Sequence, residues 1–116
     1  MASENAIITH VTEADFDEKV LGSSLPAMFA IGAQWCQDCR RAEPFYKAFA
    51  EQYAGRMAFF HADSDESPAL KERLGVVHIP TMIVFVKGKR VGEPLVEVKL
   101  PSEIKALIEE GLAAAK

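Results

Sequence analysis

A nearly unbroken apolar run, L-P-A-M-F-A-I-G-A, occupies residues 25–33 and limits the folds that this chain can adopt. A strand on the surface of a sheet alternates apolar and polar side chains, whereas this run has no polar face. It therefore predicts a strand buried on both faces, which requires other elements packed above and below it. A chain of 116 residues has material for one domain of this kind, and residues 1–116 are expected to form a single domain.

Strands and helices are predicted to alternate along the chain. The predicted strands are apolar runs, and they cover residues 6–11, 25–33, 57–62, 81–86 and 91–98. The predicted helices have apolar residues at helical spacing, and they begin at Thr12, Cys39, Ser67 and Leu100. The first three end at or near Gly22, Tyr53 and Gly75, and the last continues to the C-terminal A-A-A-K.

Particular residues are expected to shape the ends of these elements. Thr12 and Asp15 form a capping-box pattern, and Ser67, which a proline follows, is a typical helix cap. Pro44 is expected to kink the second helix, because proline lacks a backbone donor and clashes with the preceding turn. Pro94 lies inside the last strand, which therefore belongs at a sheet edge or at a bulge.

The order of the elements predicts how the strands pair. Alternation in the first half is typical of parallel strands joined by right-handed crossovers, and the K-G-K-R turn at residues 87–90 adds an antiparallel hairpin. The expected architecture is α/β, with a mixed central sheet and helices on both faces. Sites in such sheets lie where the carboxyl end of a strand meets a helix, and Cys36 follows residues 25–33 at this kind of junction.

Charge and hydropathy exclude several classes of partner. Thirteen Lys and Arg against seventeen Asp and Glu give a net charge of −4, whereas nucleic acid binding needs a basic face. Arg40, Arg41 and the K-G-K-R turn are interpreted as solvated charges. The phenylalanines interpreted as core are Phe45, Phe49, Phe59, Phe60 and Phe85. No apolar stretch is long enough to cross a bilayer, and residues 1–10 lack the pattern of a secretion signal, so a cytoplasmic protein is expected.

The chain has two cysteines, Cys36 and Cys39, and their spacing limits what they can do. A structural disulfide stabilises a fold by closing a long loop of the unfolded chain, and a bridge between residues this close restrains almost nothing. The pair is therefore redox-active, half of a metal site, or incidental. A zinc site needs four ligands, and only His10, His61 and His78 could complete it.

The position of the pair at a strand-to-helix junction favours redox chemistry. Cys36 lies at the helix start, where unpaired backbone amides and the helix dipole favour a thiolate. A thiolate is the nucleophile in disulfide exchange. Cys39, one turn further along, is expected to be the more buried of the two and suits a resolving thiol that releases the substrate. Trp35 is expected to shield one flank of the pair.

Three features together resemble the thioredoxin family: W-C-Q-D-C at residues 35–39, Pro44, and I-P-T at residues 79–81. The resemblance extends over nearly the whole chain and implies the thioredoxin fold. It also implies a cis peptide bond before Pro80, beside the first sulfur. The backbone at Ile79 is then expected to pair with a bound substrate strand.

The resemblance and the motif positions also indicate which residues shape the substrate groove or tune the pair. They are Trp35, Gln37, Asp38, His61, His78, Ile79, Pro80 and Thr81. Asp38 lies on the first turn of the helix, so its carboxylate is expected to disfavour the Cys36 thiolate and to make the protein a better reductant. Arg41, three residues further along, can pair with Asp38.

Several residues depart from the family pattern. Ala30 stands where the family has a buried aspartate, Gly32 where it has an aromatic residue, and His61 where it has a lysine. Gln37 and Asp38 replace Gly-Pro between the cysteines, and Val98 or Lys99 replaces a glycine. In the family, the buried aspartate accepts the proton of the resolving thiol. Because Ala30 cannot do so, another group or water must accept the proton of Cys39. His61 is the candidate side chain, and the alternative is that it is a buried structural histidine.

The sequence therefore predicts a thiol–disulfide oxidoreductase that reduces protein or small-molecule disulfides through Cys36 and Cys39. It needs no organic cofactor, because its electrons come from a reductase or from low-molecular-weight thiols. A monomer is expected, without nucleic acid or membrane partners. Two alternatives stay open: a thioredoxin-fold binding module for one dedicated partner, and a dimer joined by a metal or an iron–sulfur cluster at the cysteines.

Overall fold

A five-stranded sheet with helices on both faces forms the structure, a computed structural model that describes residues 7–98 and 100–115. The strands are β1 Ile8–His10, β2 Ala27–Gly32, β3 Ala58–Asp63, β4 Thr81–Val86 and β5 Lys89–Val96. The helices are α1 Asp17–Leu21 (a short π-helix), α2 Gln37–Gln52, α3 Pro68–Arg73 and α4 Pro101–Ala114. Apart from α1, each element begins within two residues of its predicted start.

The strands lie in the order β1-β3-β2-β4-β5. Strand β3 is parallel to β1 and β2, whereas β4 is antiparallel to β2 and β5. The predicted mixed α/β sheet is therefore confirmed. Pro94 lies in β5 at the edge of the sheet, and the β4–β5 pairing shifts register between Met82 and Val84. An edge strand tolerates proline because one side of it needs no hydrogen-bond donor.

Strand β2 lies at the centre of the sheet, and all six of its residues are buried. Successive side chains of a strand point to opposite faces. Met28 and Ala30 accordingly belong to a core that includes residues of α2 and α4. Phe29 and Ile31 belong to a second core on the other face, which includes residues of α1 and α3. This double-sided burial explains why residues 25–33 have no polar face.

Helix α2 begins at Gln37 and runs through Pro44. Its buried side chains are Ala42, Tyr46 and Ala50. The Tyr46 hydroxyl lies 2.7 Å from the carbonyl oxygen of Phe60 and 3.1 Å from that of Met28. Burial raises the pKa of Tyr46 well above its usual range, so the hydroxyl remains a donor. This residue fixes the helix over β2 and β3.

The prediction that Phe45 is a core residue is wrong. The side chain is 42% exposed, because α2 turns the neighbouring stripe that contains Tyr46 toward the sheet. The predicted core positions at Phe59, Phe60 and Phe85 are buried. Phe49 is half-buried and packs against the core.

Two predicted helix starts also differ from the structure. The Thr12 amide donates to Asp15 Oδ1 at 2.7 Å, but this forms a turn, and α1 begins only at Asp17. Ser67 precedes α3 as predicted, yet its side chain makes no capping hydrogen bond and is fully buried. The parts of the predictions that fall on Ala6, Lys99 and Lys116 lie outside the described residues.

Phe16 provides a test of the core beneath α1. Its ring lies edge-on to Phe29 and Phe85, with centroid distances of 5.1 and 5.8 Å, and it is fully buried. We expect Phe16→Ala to lower the free energy of unfolding by about 3–5 kcal/mol, because it removes these contacts and leaves a cavity. The matched control, Phe45→Ala, should lower it by less than about 1 kcal/mol. Urea unfolding followed by circular dichroism measures both, and equal losses would contradict this account of the core.

Candidate active site at the cysteine pair

Cys36 lies between β2 and α2 and is the N-cap residue of the helix. Its backbone is extended, with φ −84° and ψ 118°, so the sulfur turns back over the first helical turn. Cys36 Sγ accepts a hydrogen bond from the Cys39 amide at a distance of 3.3 Å. An amide donor at a helix start stabilises negative charge on the accepting atom. The start of α2 therefore supplies the Cys36 sulfur with a backbone donor.

Cys39 lies on the first turn of α2, and its environment keeps it protonated. Burial raises the pKa of the Cys39 thiol to about 12, with further contributions from its hydrogen bond to Cys36 and from the charges of Cys36 and Asp38. A hydrogen bond with the Ala33 backbone acts in the opposite direction and is outweighed. At neutral pH Cys39 is therefore a protonated thiol.

The predicted order of burial within the pair is wrong. Only 9% of Cys36 is exposed, whereas Cys39 is half-buried. Gly32 at the end of β2 lies directly against Cys39, because a Cβ atom there would come within 2.8 Å of Cys39 Sγ. The missing side chain lets this sulfur pack against the backbone of β2. An aromatic residue at this position, as in the family pattern, would displace the Cys39 sulfur.

The loop before β4 lies against Cys36. The Ile79–Pro80 peptide bond is cis, the conformation that the resemblance implies, and Pro80 is buried. Cys36 Sγ lies 3.8 Å from the carbonyl oxygen of Ile79. The Thr81 hydroxyl donates to the carbonyl oxygen of His78, while the His78 side chain is exposed. The structure therefore brings Ile79 to the Cys36 sulfur and leaves the His78 ring at the surface.

Trp35 lies immediately before the pair, and its side chain is 67% exposed. Its indole Nε1 donates to Asp65 Oδ2 at 2.6 Å, and the Asp65 amide donates to Asp63 Oδ1 at 2.7 Å. The indole is thus held in place although most of it faces solvent. Sequence reasoning missed Asp65, although the carboxyl ends of the parallel strands β2 and β3 meet at one sheet edge, which indicates such a contact.

Gln37 and Asp38 are the first two residues of α2. Gln37 is exposed, and Asp38 Oδ1 lies 3.2 Å from Arg41 Nη1 in a surface ion pair. Such exposed pairs contribute little to stability. The electrostatic effect of Asp38 on the site is clearer, because its carboxylate helps to raise the pKa of Cys39.

A cavity of about 690 Å³ lies beside Cys39, and His61 and His10 line another part of it. The two imidazole centroids are 6.1 Å apart, and His10 Nε2 lies 2.6 Å from Glu66 Oε1. Burial lowers the pKa of His61 below its usual value of 6.5, and the neighbouring His10 lowers it further. His61 is therefore a neutral base at physiological pH.

The described residues contain neither a metal-binding group of side chains nor a membrane-spanning helix. No group of three or more His, Cys, Asp or Glu side chains in residues 7–98 and 100–115 is placed to hold a metal ion. Over the same residues, no helix is long and apolar enough to span a membrane.

Comparison with known proteins agrees with this geometry. The family model described as Thioredoxin matches residues 7–110. The chain belongs to the thioredoxin family. Together with the close cysteine pair, this membership identifies it as a thiol–disulfide oxidoreductase with the thioredoxin fold, as the sequence predicted.

Individual thioredoxins show the extent of the similarity. Thioredoxin 1 of Synechococcus elongatus is 34% identical over 86 residues, which cover 74% of this chain and 80% of that protein. The thioredoxin of Synechocystis is 36% identical over 81 residues, covering 70% and 76%. The chloroplastic M-type thioredoxin of Brassica napus is 35% identical over 83 residues, covering 72% and 47%, so the match spans about half of that relative's length.

The lowered pKa of His61 predicts how stability depends on pH. Between the folded-state pKa and about 6.5, the unfolded chain binds more protons at this site than the folded chain does. We therefore expect the free energy of unfolding to fall as the pH drops below about 6.5, by at most about 1.4 kcal/mol per pH unit from this residue. His10, Asp63, Glu43 and Glu66 lie close enough to influence the same titration.

Urea unfolding at pH 5 to 8 measures this slope. His61→Gln removes the titrating group and should flatten the slope, whereas His78→Gln, which replaces an exposed histidine, should leave it unchanged. A slope that is identical in wild type and His61→Gln would show that His61 is not held neutral by the fold.

Proposed function

We propose that this thioredoxin-family protein is a protein-disulfide reductase in which Cys36 attacks and Cys39 resolves. The observation that supports these roles is the asymmetry of the pair. Cys36 Sγ accepts a hydrogen bond from the Cys39 amide at the helix start, whereas burial raises the pKa of the Cys39 thiol to about 12. Only the first sulfur has an environment that favours the anion needed for attack.

The proposed cycle exchanges one disulfide for another. The Cys36 thiolate attacks a substrate disulfide, forms a mixed disulfide, and releases the first substrate thiolate, which takes a proton. Cys39 then loses its proton and attacks Cys36 Sγ, which forms the Cys36–Cys39 disulfide and releases the second substrate thiolate. Two electrons have passed to the substrate, and a reductase or a low-molecular-weight thiol must return them.

We assign the substrate groove to the surface around Cys36. Trp35 borders it, Pro80 and Thr81 shape the loop beneath it, and Ile79 offers backbone groups to an extended substrate strand. Gln37 and His78 are exposed at its rim. Support comes from the 3.8 Å distance between Cys36 Sγ and the Ile79 carbonyl oxygen, which makes a segment paired with Ile79 a neighbour of the nucleophile.

We further propose that His61 accepts the Cys39 proton during resolution. Ala30, its register partner on β2, has no acidic group, and His61 lines the same cavity as Cys39. Its lowered pKa keeps the ring unprotonated and ready to accept. We place this chemistry in the reducing environment of the cytoplasm and in a monomer, which a potential measured against glutathione and the mass in solution would test.

Insulin reduction with dithiothreitol as the electron donor tests the reductase directly. Wild type should accelerate it, Cys36→Ser should lose at least about 100-fold of the activity, and Cys39→Ser should accumulate a mixed disulfide on Cys36. Tight binding of a partner disulfide without turnover would instead favour the binding-module alternative and contradict the proposal.

His61→Ala should slow the resolution step in single-turnover reduction by about 10-fold or more near neutral pH. The alkylation rate of Cys36 should stay within about twofold of wild type, because His61 acts on the other sulfur. A resolution step with the wild-type rate and pH profile would leave His61 as a core residue only.

Asp38→Asn should make the reduction potential less negative by about 10–30 mV, because the carboxylate opposes negative charge on the reduced pair. Equilibration with glutathione measures the potential. Glu51→Gln makes the same charge change near the other end of α2 and should not alter it. An unchanged or more negative potential in Asp38→Asn would limit Asp38 to a role at the helix start.

A further inference from the structure

The cavity beside Cys39 contains the proposed proton acceptor His61, but the proposed cycle places no substrate in it. It lies on the face of the sheet that α2 covers, with a volume of about 690 Å³. Its lining within the described residues includes Cys39 but not Cys36. Sites of roughly 300–1,000 Å³ typically bind small molecules rather than folded partners. The cavity therefore offers a small molecule a route to the second sulfur alone.

Small residues create this access. Ala30, Gly32 and Ala33 from β2 and its end, and Ala42 from α2, line the cavity around Cys39. A Cβ atom at Gly32 would stand 2.8 Å from Cys39 Sγ and 3.3 Å from its Cβ atom. Because Gly32 has no such atom, the Cys39 sulfur packs directly against the end of β2, beside the small residues that line the cavity.

Charged residues of α2 line the same cavity. Arg40, Glu43 and Lys47 are three and four positions apart, so they share one face of the helix. All three are exposed, and no side-chain hydrogen bond or ion pair joins them to another described residue, although Glu43 lies close enough to His61 to raise its pKa. Two cations and one anion are thus available to a ligand. A molecule with carboxylate groups and an ammonium group matches this arrangement better than a neutral molecule does.

We propose that the cavity binds a low-molecular-weight thiol bearing carboxylate and ammonium groups, and that this thiol reduces the oxidised pair by attacking Cys39. The inference rests on the reductase cycle proposed above, for which it supplies the electron donor.

The reaction balances with two molecules of thiol. The first, as a thiolate, attacks Cys39 Sγ, the Cys36–Cys39 bond breaks, and Cys36 leaves as the thiolate. The second attacks the donor-derived sulfur of the mixed disulfide on Cys39, which releases a small disulfide. Cys39 leaves and takes a proton. Two thiols are oxidised, the protein disulfide is reduced, and Cys36 is ready for substrate.

Geometry and leaving-group stability both favour attack at Cys39. Displacement at a disulfide proceeds in line, so the attacking sulfur approaches opposite the leaving sulfur. Within the described residues the cavity is lined by Cys39 and not by Cys36, so a molecule bound in it reaches the second sulfur. Attack at Cys39 expels Cys36, to which the Cys39 amide donates, whereas attack at Cys36 would expel Cys39, whose pKa burial raises. A more stable thiolate leaves faster.

Reduction of the oxidised protein by glutathione tests the proposal, with 2-mercaptoethanol as a neutral comparison. The rate should saturate with glutathione concentration and rise linearly with 2-mercaptoethanol. Acid quenching, alkylation and fragment mass spectrometry should find glutathione on Cys39 and the alkyl group on Cys36. A linear dependence on glutathione, or glutathione attached mainly to Cys36, would overturn the proposal.

A charge reversal in the cavity provides the matched comparison. Lys47→Glu should raise the half-saturating glutathione concentration about threefold to tenfold, because it replaces an attractive contact with a repulsive one. Lys105→Glu makes the same charge change at an exposed position of α4 and should behave as wild type. Equal effects of the two variants would mean that only net charge matters and would overturn the site.

Insulin reduction by wild type with dithiothreitol separates this inference from the proposed function. If insulin reduction is normal but the labelling experiment finds glutathione on Cys36, the cavity site is rejected and the reductase activity stands. No insulin reduction at all rejects the reductase, whatever the glutathione experiment shows.

Discussion

Burial of β2 on both faces determines where the other parts of the molecule lie. A strand without a polar face needs a helical layer on each side, and α2 and α4 supply one layer while α1 and α3 supply the other. The same burial fixes the point where β2 ends and α2 starts. Cys36 stands at that point, so the packing of the core decides the position of the Cys36 sulfur and of the backbone amide that donates to it.

The second consequence is the chemical asymmetry of two identical side chains. Cys36 and Cys39 differ by less than one helical turn, yet the backbone supplies an amide donor to one sulfur and burial disfavours charge on the other. At Cys39 the effect of burial outweighs the hydrogen bond with the Ala33 backbone, so the proton stays on that sulfur, whereas the Cys36 sulfur has the amide donor of the helix start. This asymmetry gives the proposed cycle its direction, with attack from the first sulfur and resolution by the second.

Much of the fold was predictable from local patterns. The run at residues 25–33 predicted the central strand, Pro94 predicted the sheet edge, and W-C-Q-D-C placed the pair at the start of a helix. Periodicity could not choose between adjacent stripes of α2. Phe45 and Tyr46 are both aromatic, and only packing shows that Tyr46 faces the sheet, where its hydroxyl finds two carbonyl groups.

The site was less predictable, because its properties depend on contacts between distant segments. The close packing of the Cys39 sulfur against β2 requires the absence of a side chain at Gly32, and the position of Trp35 depends on Asp65, which lies 30 residues further along the chain. The neutral state of His61 likewise reflects burial beside His10 from another strand. A sequence identifies these residues individually but does not give the distances between them.

The difference in ionisation between the two sulfurs is the central claim, and alkylation resolved by residue tests it most directly. The reduced protein would be treated with limiting iodoacetamide from pH 6 to 11, and each cysteine quantified by fragment mass spectrometry. The account predicts that Cys36 is modified near neutral pH, despite its 9% exposure, and that modification of Cys39 keeps rising up to pH 11. Modification of Cys39 at neutral pH as fast as that of Cys36 would contradict it.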